Sequence, residues 1–247
     1  MNKETEGFSQ HISQQFNAEL EEVRTQMLEM GGLVEKQIND AVNALINGDG
    51  NLAEKVRDSD QAVNQMEVQI DEECMRILAR RQPAASDLRL VMSINKIIVD
   101  LERIGDEASK VAKRALHLVD EGQSPRGYVE CRHIGAHVRK MVQDSLDAFA
   151  RLDSDLAFAV AREDKIVDQE YKTAMRELVT FMMEDPRSIG RVLNVLWVLR
   201  SLERVGDHAR NIAEQVIYLV IGRDVRYKGL KSMEATIQED QGEVGKS

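Results

Sequence analysis

The sequence predicts an all-α protein made of two tandem three-helix bundles, and three observations carry that reading. Composition is the first. Among 247 residues, aromatics make up 4% and prolines number only 3. Leu, Ile, Val, Ala, Met, Glu, Lys and Arg dominate, a mixture that favours helix almost throughout. The second is a set of six long runs with apolar residues at helical spacing. The third is a phrase written twice. Asp100-Leu101-Glu102-Arg103-Ile104-Gly105-Asp106 returns 101 residues later as Ser201-Leu202-Glu203-Arg204-Val205-Gly206-Asp207.

The first run extends from about Ser9 to Asn47, with Phe16, Leu20, Val23, Met27, Met30, Val34 and Ile38 on one stripe. The turn Asn47-Gly48-Asp49-Gly50-Asn51 ends it and caps the second helix, which continues to about Ala79. Gln82-Pro83 breaks that helix, because the residue before proline is pushed out of helical geometry. Ser86 or Asp87 caps a third helix to about Val119. The segment 121–127, rich in glycine and polar residues, is the only linker-like stretch mid-chain. After it the plan restarts, with a fourth helix over roughly Tyr128 to Leu152 and a fifth from Asp153-Ser154-Asp155 to Asp185-Pro186. Asp185 is a natural N-cap for the sixth, with Pro186 at its first position.

The halves align over most of their length. Asp40-Ala41-Val42 matches Asp144-Ser145-Leu146, and Asp60 matches Asp164, all 104 residues apart. The spacing falls to 101 at the repeated phrase, which implies a hairpin three residues shorter between helices five and six. Long helices with short connections pack as antiparallel neighbours. The expected domains are residues 8–121 and 128–222, with 223–247 as a polar, frayed tail.

A net charge of −10 argues against a nucleic-acid or anionic-membrane binder. Cys74 and Cys131 lie in different segments, so neither a disulfide framework nor a zinc site is indicated. The N-terminus carries no apolar signal core, and no run of about 18 apolar residues could span a bilayer. The plain reading is a bacterial-type cytosol, with membrane association only through partners.

Each copy of the phrase places two carboxylates four residues apart on one helix face, where like charges repel by a few tenths of a kcal/mol. Each also carries a mid-helix glycine, which costs roughly 0.8–1 kcal/mol relative to alanine. The fifth helix adds Asp164 and Asp168, whereas the second has Asp60 and Asn64 at the matching positions. Facing carboxylates on adjacent helices suit divalent or trivalent metals, and the glycines leave space for an ion or a close helix approach. Asn211 and Glu214 extend the row on helix six. The competing explanation is solvated charge in i,i+4 networks, with Asp106 beside Lys110, Asp207 beside Arg210 and Arg103 within reach of Glu107. The second half is the better metal site, since Asn64 and Lys110 stand in the first where Asp168 and Asn211 stand in the second.

Glu130, His133 and His137 share one face of helix four. A single Glu-x-x-His does not make a di-iron bundle, which uses two such motifs on separate helices, so an interhelical polar cluster is the expectation. No phosphate loop, dinucleotide fingerprint, nucleophile elbow or zincin motif occurs. The 11 Met residues scatter through apolar stripes as core filler. Arg80, Arg81 and Arg89 form a basic corner between helices two and three, able to meet an acidic partner or phosphate, although solvated arginines are the commoner outcome.

Three motifs together resemble the PhoU family: Arg80-Arg81-Gln82-Pro83-Ala84-Ala85-Ser86-Asp87-Leu88-Arg89, the two Leu-Glu-Arg-Ile/Val-Gly-Asp phrases, and Val167-Asp168-Gln169-Glu170-Tyr171. The likeness spans about residues 8–222. It implies paired three-helix bundles assembled as a homodimer, and a cytoplasmic accessory regulator of phosphate uptake and signalling rather than an enzyme. It implies partners: the ATPase subunit of the phosphate-specific ABC transporter and the membrane sensor histidine kinase of the phosphate-starvation response, held off when phosphate is abundant. It also implies metal ions (iron, zinc, manganese or magnesium) at the acidic motifs. These carry over to Glu102 and Asp106, Asp164 and Asp168, and Glu203 and Asp207, with Asn64 departing from the pattern. The competing class is a metal-dependent enzyme on a carboxylate-rich bundle, disfavoured by the single Glu-x-x-His and the scarcity of aromatics; the repeated acidic phrase disfavours a purely structural bundle.

Overall fold

Helix ends here are set by a few identifiable side chains. The computed structural model describes residues 3–120, 128–226 and 228–244; the expected linker at 121–127 lies outside them. Helix α1 (Lys3–Asn47) stops where Gly48 takes a left-handed φ of +65°. Asp49 then caps α2 (Gly50–Arg81), its carboxylate accepting from Leu52 N at 3.0 Å; such a cap is worth about 1 kcal/mol. Asp153 does the same for α5 (Ser154–Glu184), accepting from Leu156 N at 2.9 Å. Between them lie α3 (Ala85–Asp120) and α4 (Tyr128–Arg151).

Two boundaries differ from expectation. Gln82 leaves α2 in the left-handed region, φ +47°, rather than in an extended conformation, and α3 starts at Ala85, itself left-handed at φ +48°, ahead of Ser86 and Asp87. Asp185 does cap with Pro186 following, but it caps a single 3-10 turn, Pro186–Ser188, from which α6 (Ile189–Ile221) continues.

The tail is a correction. Beyond Gly222, residues Leu230–Val244 form α7, which packs on α5 and α6. Met233 is fully buried and Ile237 nearly so, while Arg223 reaches Glu239 at 2.8 Å and Gln241 reaches Asp155 at 3.1 Å. Polar composition concealed the apolar stripe Leu230, Met233, Ile237, whose i, i+3, i+7 spacing is itself a helical signal.

Helices α1–α3 form one bundle and α4–α6 the other, and the two share one continuous hydrophobic core. They join through α3 against α6 and α1 against α4. The junction repeats itself with twofold logic. A Cβ on Gly31 would stand 2.7 Å from Leu146, and one on Gly135 would stand 2.7 Å from Val42. Gly31 and Gly135 are equivalent in the duplication, as are Val42 and Leu146, so one glycine–aliphatic contact is made twice across a pseudo-twofold axis. Glu35 and Arg139, also equivalent, pair with each other across it at 2.9 Å. The repeat thus builds its own internal dimer. Each fully buried aliphatic at such a junction contributes about 1.5–3 kcal/mol.

Candidate metal centre

The second bundle brings one set of acids together. Asp168 on α5 and Glu203 and Asp207 on α6 each place a carboxylate oxygen within 4.8 Å of the others. Among the described residues this is the one group of three such ligands at that spacing. Glu203 and Asp207 are a turn apart on α6, so the helix itself fixes their common face. Glu203 is buried, Asp168 half-buried and Asp207 open to solvent. Burial raises the Glu203 carboxyl above the usual carboxylate range, helped by the negative charge of Asp207 and opposed by Arg200. Asp207 keeps access to solvent, yet the packed atoms of α5 and α6 around it partly desolvate its carboxyl and raise it, with Asp168 as its main repulsive neighbour.

Among the described residues, counter-cations stand around the edge of this set, where Arg200, His208 and Arg210 all act on Asp207. Arg200 donates to Glu203, and Lys172 stands 3.7 Å from Asp168. Three partly dehydrated carboxylates converging with their counter-charge at the edge form a set that a bound cation would stabilise. All donors are oxygens, which fits hard cations such as magnesium, manganese or iron better than zinc, whose sites usually include histidine or cysteine.

The other expected ligands lie elsewhere. Asp164 is buried, but Arg210 holds it at 3.0 Å and extends to Glu214, also at 3.0 Å. That pairing differs from the expected neighbour of Arg210, Asp207, and removes Glu214 from the acidic row. Asn211 also leaves the row, donating to Asp100 at 3.1 Å beside His208. In the first half, Glu102 and Asp106 share Arg103, at 3.4 and 3.9 Å. Lys110 pairs with Glu107 at 2.9 Å rather than with Asp106. Asp60 and Glu67 of α2 lie close enough for burial, together with the charge of Asp106, to raise both their carboxyls. Glu67 escaped the sequence reading. It follows Asp60 by seven residues, two helical turns along one face, and that spacing was the available signal.

His133 and His137 join Glu170 and Glu163 of α5. His137 Nε2 lies 2.8 Å from Glu163 and its Nδ1 3.2 Å from Glu170, while His133 lies 3.1 Å from the other Glu170 oxygen. Glu130 is not among these partners. Arg81 of the basic corner is engaged too, bidentate on Glu19 at 2.9 and 2.6 Å.

The PhoU domain model matches residues 27–115 and again 131–216, once in each bundle. The chain belongs to the PhoU family. Over 238 residues it is 69% identical to a phosphate-specific transport system accessory protein PhoU homolog of Pseudomonas aeruginosa, covering 96% of this chain and 98% of the relative. To the accessory protein PhoU of Escherichia coli K12 it is 52% identical over 221 residues, covering 90% and 91%. The crystal structure of PhoU from Pseudomonas aeruginosa superposes with a TM-score of 0.83 at 72% identity, over 84% of this chain and all of that one. PhoU from Streptococcus pneumoniae, titled a phosphate transport system regulatory protein, gives 0.79 at 33% identity over 85% and 99%. As a member of a family of accessory proteins, this PhoU-family chain is not an enzyme. No described helix is long and apolar enough to cross a membrane.

Proposed function

We propose that this PhoU-family protein regulates inorganic phosphate uptake and phosphate-starvation signalling, linking the ATPase subunit of the phosphate ABC transporter to the sensor histidine kinase and holding that kinase off when phosphate is abundant. The observation that carries the reading is 52–70% identity, along nearly the whole chain, to accessory proteins of phosphate-specific transport. A homodimer on the cytoplasmic face of the membrane is part of the same proposal. Long bundles offer extended faces for two partners, and an acidic surface suits steered docking.

Metal modulation belongs to the proposal through Asp168, Glu203 and Asp207. A divalent or trivalent cation there supplies positive charge between α5 and α6. The side chains themselves set the response, since Asp168 on α5 repels Glu203 and Asp207 on α6 while all are ionised, and Arg200 and Lys172 offset that repulsion only from the edge. Occupancy then biases helix packing between states of different partner affinity.

A deletion strain carrying a phosphate-starvation reporter, grown in phosphate-rich medium, tests both layers. Deletion switches the reporter on, and the wild-type gene silences it. The Glu203→Gln/Asp207→Asn variant, produced at normal level, restores silence incompletely. A reporter that stays silent on deletion rejects the regulatory reading. Full silencing by the variant, with unchanged metal content, rejects metal modulation alone.

A further inference from the structure

The pseudo-twofold crossing of α3 and α6 creates a pair of clefts that were copies at the duplication and now differ in charge. One, of 570 Å³, is lined by Lys110, Lys113 and Arg114 from α3 and by Trp197, Arg200 and Arg204 from α6. Its mate, of 330 Å³, is lined by Asn211, Glu214 and Gln215, which are the duplication equivalents of Lys110, Lys113 and Arg114. Lys96 and Val99 stand there in place of Trp197 and Arg200. The mate balances Lys96 and Arg226 against Asp100 and Glu214. The larger cleft sets five Lys and Arg side chains against the single carboxylate of Glu107, with His117 at its rim. A basic concavity in a chain of net charge −10 runs against the whole surface.

Its interior is arranged rather than merely charged. Glu107, only 3% exposed, accepts from Lys110 at 2.9 Å and pairs with Arg204 at 3.2 Å, fixing cations from both halves on one buried anchor. Arg200 is drawn to Glu203. Among the described residues that line the cleft, no carboxylate pairs with Lys113 or Arg114: Lys113 also acts on Asp60 of α2, outside the cleft, and Arg114 donates to the neutral Asn194 at 3.2 Å and stands 5.9 Å over the Trp197 ring. Trp197 itself is 58% exposed, a flat apolar face beside a row of cations. Arginines present paired N–H donors that match phosphate oxygens, and a cleft of this volume is of small-ligand size. An exposed indole accepts a stacked ring.

We propose that this cleft binds a small polyanion carrying a chain of two or more phosphates. Phosphate groups occupy the positions before Lys113, Arg114 and the Glu107-anchored pair, and the indole of Trp197 closes one side. A nucleoside polyphosphate and an inorganic polyphosphate share this chemistry. The first would lay its base on the ring.

The chain has one tryptophan, so its fluorescence reports on this cleft alone. Full-length protein is titrated with ATP, with inorganic tripolyphosphate and with orthophosphate at constant ionic strength, with calorimetry in parallel. ATP and tripolyphosphate give a saturable change, and orthophosphate does not reproduce it. Lys113→Gln and Arg114→Gln each weaken binding about tenfold, the usual result of removing one charge-assisted hydrogen bond. Lys96→Gln in the mate cleft leaves it unchanged. Equal affinity for the two ligands identifies an inorganic phosphate chain, and clear preference for ATP identifies a nucleotide. The proposal is overturned if neither ligand gives saturable binding at millimolar concentration, if orthophosphate matches them, if polyglutamate outcompetes them, or if the exposed Lys113→Gln variant, folded by circular dichroism, binds as the wild type does.

Discussion

The two bundles hold the same acidic phrase on the same helical frame and both gather carboxylates around it, yet among the described residues only the second brings three of them within reach of a single ion. In the second, Asp168, Glu203 and Asp207 meet within 4.8 Å, and the equivalent of Arg103, Arg204, turns away to Glu107. In the first, Arg103 stays between Glu102 and Asp106, and Asn64 stands where the third acid would be. Duplication therefore sets where carboxylates can stand, while the placement of one arginine and one amide decides whether they converge closely enough to be a candidate cation site.

The largest effects should fall on metal content. Glu203→Gln/Asp207→Asn should lower affinity for manganese or magnesium by more than the ~10–100-fold that changes to supporting groups around a metal typically cause. Glu102→Gln/Asp106→Asn should leave affinity within a few-fold. Calorimetry on chelated, repleted protein measures both, and equal losses from the two pairs would erase the distinction drawn between the halves. The reverse experiment sharpens it. Asn64→Asp with Arg103→Gln restores the third acid and removes the internal cation, so a second bound ion per chain should appear. Failure to gain that ion would mean that the α2–α3 spacing, and not the charge, disables the first site.

Much of this was legible beforehand, because the relevant physics is local. Caps at Asp49, Asp153 and Asp185 are written in single residues, and the repeated Glu-x-x-x-Asp phrase places its carboxylates on one face wherever it forms helix. Partner choice was not legible. Arg210 could reach Asp207 along its own helix, but it crosses to Asp164 on α5 because a buried carboxylate offers a stronger partner than an exposed one. Helix α7 was hidden for a related reason. Three apolar positions among polar ones give a weak amphipathic signal until α5 supplies the surface that buries them. The charge contrast between the two clefts needed the register of α3 on α6, which no single-helix pattern encodes.

A smaller effect of pH is shared by both halves, and its response to metal separates them. Burial raises Glu203, Asp207 and Asp164 in one bundle and Asp60, Glu67 and Glu102 in the other. A carboxyl whose folded pKa lies above its unfolded value destabilises the fold while ionised, and that penalty disappears as pH falls through the folded pKa toward the ordinary carboxylate range. Glu19 and Asp224 act oppositely. Arg226 holds Asp224 down to about 2, so its contribution is present above the ordinary 3.8 and is lost as pH falls toward 2. Chelated protein should therefore melt higher as pH is lowered from neutral toward the ordinary carboxylate range, until the folded-state carboxyls are protonated. Saturating manganese should shrink the difference, since the cation favours the ionised form, and Glu203→Gln/Asp207→Asn should remove its metal-sensitive part. A difference that manganese leaves unchanged would place the titrating acids outside the Asp168 cluster.

The smallest effects test the paired glycines. A Cβ on Gly105 would meet Gln37 Oε1 at 3.2 Å and Val63 Cγ1 at 3.3 Å; one on Gly206 would meet Val167 Cγ1 at 3.5 Å and Met141 Cε at 3.8 Å. These are the same positions of the repeat, with Val63 matching Val167 and Gln37 matching Met141. Gln37 is 3% exposed and its amide nitrogen is tied to Ser59 at 2.8 Å, so its carbonyl oxygen cannot swing clear. Met141 is a flexible thioether already at ordinary contact distance. Replacing a mid-helix glycine by alanine gains about 0.8–1 kcal/mol of helix propensity, and a forced contact costs about 1–3 kcal/mol. Gly206→Ala should therefore raise the melting temperature by roughly 2–4 °C, whereas Gly105→Ala should lower it or leave it unchanged. Gly105→Ala combined with Gln37→Met, which copies the second-half pair into the first, should recover the gain seen for Gly206→Ala. If it does not, the close approach at Gly105 is set by Val63 and the backbone of α2 instead of by the glutamine.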